Sequence, residues 1–326
     1  MALVDPFART VRDLRISVTD RCNLRCRYCM PEEGLAWVPR AEVLTYEEIE
    51  RVARVCVERF GFDAIRLTGG EPTVRADLPA LVARLAPLGV DLSMTTNGMS
   101  LGLVAGALRD AGLRRVNVSL DTLRPERFAS LTRRSGLDRV LDGIDAAVSA
   151  GFDPVKVNCV VMRGVNDDEL VDLAAFGRRT GVVLRFIEFM PLDADRAWDP
   201  GSVVALDEIV ATVGSAFPLD SVDESTTAPA RRFRYRDGAG EIGVVASVTR
   251  SFCGDCDRVR LTADGQLRSC LFAVREADVR AVLRGGGTDD DVAAAIEAEV
   301  ATKWAGHAIG QVHFTRPSRS MSQIGG

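Results

Sequence analysis

Leu14-Arg15-Ile16-Ser17-Val18-Thr19-Asp20-Arg21-Cys22-Asn23-Leu24-Arg25-Cys26-Arg27-Tyr28-Cys29 is the stretch from which the rest of the chain can be read. Its first six residues alternate, with Leu14, Ile16 and Val18 apolar and Arg15, Ser17 and Thr19 polar. Residues two apart share a face of a strand, so one face suits a core and the other a polar environment. Cys22 follows three residues after this strand and opens a loop carrying three cysteines within eight positions. A strand that ends in a ligand-rich loop places its chemistry at the C-terminal edge of a sheet.

The same pattern recurs along the chain. Strand-like runs are expected at Ala64–Thr68, Asp91–Thr95, Arg115–Leu120, Pro154–Val161 and Val183–Met190. Helix-like stretches separate them, among them Tyr46–Phe60, Leu78–Leu85, Leu137–Ala150 and Asp168–Arg179, the first with apolar residues at helical spacing. Six strands alternating with helices predict an α/β fold with a parallel sheet and right-handed crossovers, curled into a complete or partial barrel. Polar residues recur on one face near the strand ends: Arg66 and Thr68, Thr95 and Asn97, Asn117, Ser119 and Asp121, Lys156 and Asn158, and Glu188. A packed barrel interior would be aliphatic, so this face predicts a wide, polar-lined cavity. An antiparallel sheet with one wet face is the competing reading, disfavoured by the intervening helices. Arg185 has the opposite parity to Glu188 and Met190 and is therefore expected outside the cavity.

From about Phe217 the rhythm stops, and Pro218 to Pro229, rich in Asp, Ser and Thr, reads as a linker or loop. This predicts two regions, a barrel over 1–216 and a C-terminal region over 217–326. The net charge of −5 argues against a protein that coats nucleic acid. Met1 to Thr10 lacks the apolar core of a signal peptide, and no run of about 18 apolar residues suggests a membrane span, so a cytoplasmic location is expected.

Six of the eight cysteines fall into two triads, Cys22, Cys26 and Cys29, then Cys253, Cys256 and Cys270, which suggests metal or redox chemistry rather than disulfides. Cys56 and Cys159 stand in apolar segments and are expected as small buried hydrophobes. Three thiolates can hold three corners of a four-iron cluster and leave one iron open. Zinc is the alternative, with His307 and His313 the available imidazoles. Arg258 and Arg260 share one face if their segment is extended, and paired arginines suit bidentate recognition of phosphate. An incomplete cluster beside them suggests a site for an anionic ligand that also touches iron.

The Cys-x3-Cys-x2-Cys spacing with Tyr28 before the last cysteine, and Gly69-Gly70-Glu71-Pro72 after the second strand, resemble the radical S-adenosylmethionine (SAM) superfamily. Adding Asp20 to Cys26, Thr95-Thr96-Asn97-Gly98, Ser251 to Arg260 and Met321-Ser322-Gln323-Ile324-Gly325-Gly326, the chain resembles the GTP 3′,8-cyclase family over essentially its whole length. The resemblance implies a partial (βα)6 TIM-like barrel, two [4Fe-4S] clusters, SAM as cofactor and GTP as substrate. In such enzymes the 5′-deoxyadenosyl radical removes the ribose 3′ hydrogen and the carbon radical attacks C8 of guanine, the first committed step of molybdenum cofactor (molybdopterin) biosynthesis. It implies Cys22, Cys26 and Cys29 on one cluster and Cys253, Cys256 and Cys270 on the other. By motif position, Tyr28, Gly70, Ser119 and Met190 would contact SAM, and Arg15, Arg66, Thr95, Lys156, Arg258, Val259 and Arg260 would contact GTP. The tail glycines Gly325 and Gly326 would reach into the active site. Implied partners are an electron donor and the cyclic pyranopterin monophosphate synthase that takes the product, with homodimer and monomer both open, and neither nucleic acid nor membrane. Two rivals remain: another radical SAM enzyme with an auxiliary cluster, such as a peptide-modifying one, and a zinc protein that binds a macromolecule.

Overall fold

The computed structural model describes residues 2–192, 198–222, 228–309, 311 and 314–325. Six parallel strands form its centre: β1 (Asp13–Ser17), β2 (Ala64–Thr68), β3 (Asp91–Thr96), β4 (Arg115–Ser119), β5 (Val155–Val161) and β6 (Val183–Glu188). They lie side by side in chain order, as βαβ crossovers dictate. The covering helices are α1 (Tyr46–Phe60), α2 (Leu78–Leu85), α3 (Leu101–Asp110), α4 (Pro125–Thr132), α5 (Leu137–Ser149), α6 (Leu170–Thr180) and α7 (Leu206–Ala216). α1 starts where sequence chemistry demands: the Thr45 hydroxyl accepts from the Glu48 N–H while the Glu48 carboxylate accepts from the Thr45 N–H. It ends at Gly61, whose φ of 70° is cheap only for glycine.

The alternation within each strand separates core from cavity. Leu14 and Ile16, Ile65 and Leu67, Val116 and Val118, and Val157 and Cys159 are fully buried beneath the helices. Cys56 and Cys159 are core residues, as their surroundings in sequence suggested. The intervening residues of these strands turn the other way, toward the concave side.

The remainder of the chain extends the same sheet at both edges. β7 (Leu219–Ser221), β8 (Arg231–Tyr235) and β9 (Glu241–Val245) join through β9, which runs parallel to β6. β10 (Arg258–Leu261), β11 (Gln266–Arg268) and β12 (Ala277–Asp278) join through β10, parallel to β1. The result is one sheet of 12 strands, continuous across the boundary between the two regions. The helices α8 (Val279–Arg284), α9 (Asp289–Val300) and the short α10 (Met321–Ile324) complete the C-terminal region. Among the described residues no helix is long and apolar enough to cross a membrane.

Candidate active site

The first cysteine loop leaves β1 and folds over the concave side. Its tight turn is made by the N–H groups of Cys29 and Met30, which both donate to the Cys26 carbonyl at 2.9 Å. The loop after β2 runs backbone to backbone against it, with the Gly70 N–H donating to the Thr19 carbonyl and the Glu71 N–H to the Arg21 carbonyl, each at 2.8 Å. A Cβ at Gly69 would sit 2.3 Å from the Thr19 oxygen, and one at Gly70 would sit 2.3 Å from the Arg21 oxygen, so only glycine fits either place. Glu71 is buried and its carboxylate accepts from the Thr73 N–H and hydroxyl, the Thr96 hydroxyl and the Asn97 N–H, which ties this loop to the one after β3.

Asn97 then reaches back, its side-chain amide donating to Asn23 Oδ1 at 2.7 Å and toward Cys22 Sγ at 3.7 Å. The Leu24 N–H also points at Cys22 Sγ, 3.4 Å away. The Tyr28 hydroxyl donates to Asp121 at 2.6 Å, and burial lifts the Asp121 carboxyl to about 6 despite that bond and one from the Val160 N–H. Burial raises the Cys22 and Cys26 thiols, and protein packed round the sulfur pushes Cys29 up to about 12. Left without metal, these sulfurs are protonated and crowded; bound to iron they would be thiolates with N–H donors already aimed at them.

The second triad stands across the cavity. Cys253–Asp255 forms a single turn, in which the Cys256 N–H donates to the Cys253 carbonyl, and Cys270 follows β11. Burial acts to raise the Cys253 thiol, but His307 beside it and the Ser251 hydroxyl draw it down to about 7. The His307 ring is anchored beside Cys253: Nε2 donates to the Ser247 carbonyl at 2.8 Å and Nδ1 accepts from the Ile309 N–H at 3.1 Å. His313 lies outside the described residues. Among the described residues, no three His, Cys, Asp or Glu side chains converge closely enough for a single metal ion. A four-iron cube spreads its thiolates wider than one ion does, and all six clustered cysteines are unpaired thiols of the kind such a cube takes.

Between the triads lies a cavity of about 290 Å³ lined by Cys22, Cys26, Cys29, Cys256 and Cys270. Its floor is cationic. The register places Arg260 beside Arg15 and Arg15 beside Arg66 on β10, β1 and β2, while Arg258 pairs with Asp13. Burial, reinforced by mutual repulsion, lowers Arg15 and Arg260 to about 9 and Arg66 and Arg185 to about 10. Asp13 lies 3.8 Å from Arg15 and 3.7 Å from Arg258, too little anion for this many guanidinium groups. Arg15 Nε, Arg185 Nε, Ser17 Oγ and Asn158 Oδ1 are buried without a hydrogen-bond partner. The two guanidinium N–H groups call for an anionic acceptor, and Asn158 Oδ1 for a donor.

Most sequence-selected residues meet here. Tyr28, Gly70, Ser119 and Met190 line the end near the first triad, and Arg15, Arg66, Thr95, Arg258 and Arg260 line the cavity with them. Lys156 shares the face of Asn158 but lies outside the immediate lining, and burial beside Arg185 lowers it to about 8. Val259 turns its side chain into the core and is not among the residues that line the cavity. Gly325 sits against residues that line the cavity, its carbonyl accepting from Arg260, and a Cβ there would meet Thr68 Oγ1 at 2.4 Å and Ser17 Oγ at 2.7 Å. Gly326 lies outside the described residues.

One pair of assignments reverses. Arg185 lines the cavity, whereas Glu188 is fully buried on the opposite side of β6. The Glu188 carboxylate accepts from the N–H groups of Leu206, Val248 and Thr249 and from the Thr249 hydroxyl, fastening the strand end to the next segments. A buried carboxylate with four donors is structural, and reading it as a mark of the wet face put Arg185 on the wrong one. Arg185 and Lys303 are the functional candidates that motif and parity alone did not select.

The chain matches the family model of the radical SAM superfamily over residues 16–177 and that of Molybdenum Cofactor Synthesis C over 182–309. It is 51% identical to a GTP 3′,8-cyclase of Rhodopirellula baltica, covering 100% of this chain and 92% of that one. A GTP 3′,8-cyclase of Streptomyces coelicolor is 48% identical over 99% of this chain and 96% of its own. Among solved structures, Streptococcus suis SuiB bound to SAM aligns with a TM-score of 0.60 at 14% identity, over 81% of this chain and 61% of that chain. Methylornithine synthase aligns with a TM-score of 0.54 at 18% identity, over 88% and 86%. These two share the fold. The superfamily works with an iron–sulfur cluster and SAM, and the loop of Cys22, Cys26 and Cys29 packed against Gly69 and Gly70 is the part of this chain that fits them. With full-length identity of about half to the cyclases, and cysteines of both triads lining one cationic cavity, the chain belongs to the GTP 3′,8-cyclase family of radical SAM enzymes.

Proposed function

We propose that this chain converts GTP to (8S)-3′,8-cyclo-7,8-dihydroguanosine 5′-triphosphate, the first step of molybdopterin biosynthesis. One observation carries the reading: Cys22, Cys26 and Cys29 of one triad, Cys256 and Cys270 of the other, and the arginines Arg15, Arg66, Arg185, Arg258 and Arg260 border a single small cavity. Its size and its unmet cationic donors favour a small polyanion over a peptide. The match to the radical SAM superfamily and to the cyclases disfavours the zinc reading.

In this reading Cys22, Cys26 and Cys29 hold the catalytic cluster, and Cys253, Cys256 and Cys270 hold a second one. When bound, the first cluster and SAM together supply the 5′-deoxyadenosyl radical that removes the ribose 3′ hydrogen. Tyr28, Gly70, Ser119 and Met190 seat SAM, with Tyr28 steadied by its bond to Asp121. Arg15, Arg66, Lys156, Arg185, Arg258 and Arg260 neutralise the triphosphate and fix its direction, so that the base faces the second triad. Thr95 and the Val259 backbone complete the substrate contacts. Gly325 and Gly326 bring the tail over the cavity and keep water from the radical. Residues 1–216 act as the barrel and 217–326 supply the second centre, both in the cytoplasm. An electron donor feeds the first cluster, and cyclic pyranopterin monophosphate synthase takes the product.

The test is anaerobic reconstitution with iron and sulfide, then SAM and dithionite with and without GTP. Formation of 5′-deoxyadenosine that rises with GTP and matches a cyclised nucleotide supports the proposal. SAM cleavage indifferent to GTP would assign the cavity to another anion.

A further inference from the structure

Lys303 lies outside the cavity yet touches the second triad from behind. It follows the end of α9 and is only 4% exposed. Its ammonium donates to the Arg258 carbonyl at 2.5 Å, to the Ser269 carbonyl at 2.9 Å and toward Cys256 Sγ at 3.7 Å. Arg258 stands two residues after Cys256, and Ser269 directly precedes Cys270. One buried cation therefore joins the two segments that carry these cysteines.

The rest of this helix end reinforces the grip. Glu299 accepts from the Ser269 N–H at 2.9 Å, and the Thr302 hydroxyl lies 3.5 Å from that of Ser269. Burying an ammonium is costly, and two carbonyls and a neutral thiol repay it only in part. Two thiolates on iron would supply the missing negative charge.

We propose that Lys303 is a positioning and tuning residue for the second iron–sulfur centre, holding the Cys256 and Cys270 segments in register and placing a fixed positive charge against a cluster thiolate. The inference rests on the reading that this triad binds iron. Its consequence is electrostatic. A one-electron reduction adds negative charge to the cluster, and a cation at ligand distance lowers the energy of the reduced state.

The test isolates this centre by replacing Cys22, Cys26 and Cys29 with Ala in the full chain. In that background Lys303, Lys303→Arg and Lys303→Gln are compared by iron content, by iron loss to a chelator and by EPR-monitored potentiometric titration. Glutamine keeps a donor for the carbonyls and loses the charge; circular dichroism checks that it folds. The expected result is a lower midpoint potential and an about tenfold loss of iron affinity in the Gln variant, the low end of what outer hydrogen-bond partners contribute. Arginine should restore both toward the parent. Equal potentials in the parent and the Gln variant, with iron bound in both, would overturn the proposal alone. A shift of the same size in the Arg variant would also overturn it, since charge would not be the cause. A background protein that binds no iron removes the second-centre reading and this inference together.

Discussion

The two cysteine triads share a donor set and differ in everything around it. Cys22 receives neutral donors, the Leu24 N–H and the Asn97 amide, and burial holds the first-loop thiols up. The second triad is ringed by cations: Lys303 points at Cys256, Arg9 binds the Cys253 carbonyl at 2.5 Å, and Arg258 and Arg260 follow in the chain. Dry surroundings with the Glu71 and Asp121 carboxyls close by make added electron density expensive, which would suit a centre that gives its electron away. Cationic surroundings would suit a centre that meets an anion. Three cysteines at each place thus meet two different environments.

The largest contrast to test is in SAM cleavage. Cys22→Ala, Cys26→Ala or Cys29→Ala should reduce 5′-deoxyadenosine to background, whereas Cys253→Ala, Cys256→Ala or Cys270→Ala should spare reductive SAM cleavage and lose GTP-dependent product. Identical defects in the two sets, measured by chromatography of both products, would erase the division between them. In iron-free protein at pH 7, iodoacetamide should label Cys253, at about 7, before Cys29, at about 12. The greater thiolate fraction outweighs its lower intrinsic reactivity, so a rate ratio of roughly a hundredfold or more is expected by mass spectrometry. Comparable rates would mean that the two environments do not differ as described.

The arginine floor should yield a smaller effect. Arg260→Ala removes a buried charge-assisted contact of about 1.5–3 kcal/mol, so the GTP dissociation constant should rise roughly 10- to 100-fold while SAM cleavage without GTP stays unchanged. Calorimetry showing unaltered GTP binding would move the triphosphate elsewhere. The smallest effect concerns Lys156, lowered to about 8 by burial and then by Arg185, Arg115 and Arg66. A triphosphate favours the protonated amine, so GTP affinity should fall as pH rises from about 7 to 9, by no more than about tenfold per pH unit. Lys156→Met should flatten that slope; a slope that survives it belongs to another group.

How far the sequence could be read depended on how local each constraint is. Strand alternation exposed Arg15 and Arg66 as cavity residues because parity in a strand is geometric and needs no partner. It misplaced Arg185, because Glu188 is polar for a reason that lies in three distant backbone N–H groups. Motifs reached Gly70 without explaining it; the explanation is an Arg21 oxygen where a Cβ would stand. Lys303 carries no local signal, since its partners lie 34, 45 and 47 residues away.

The sequence by itself determined the cysteine spacing, the alternation of strands and helices, and the identity of the basic residues, all set within a few positions along the chain. Only the tertiary structure decided that β10 pairs with β1, so that Arg260 stands beside Arg15 and cysteines of both triads line one cavity. That pairing joins residues some 245 positions apart in the chain, as with the Arg260 and Arg15 partners. Its energy comes from hydrogen bonds and burial shared by two strands, which no short stretch of sequence can encode alone.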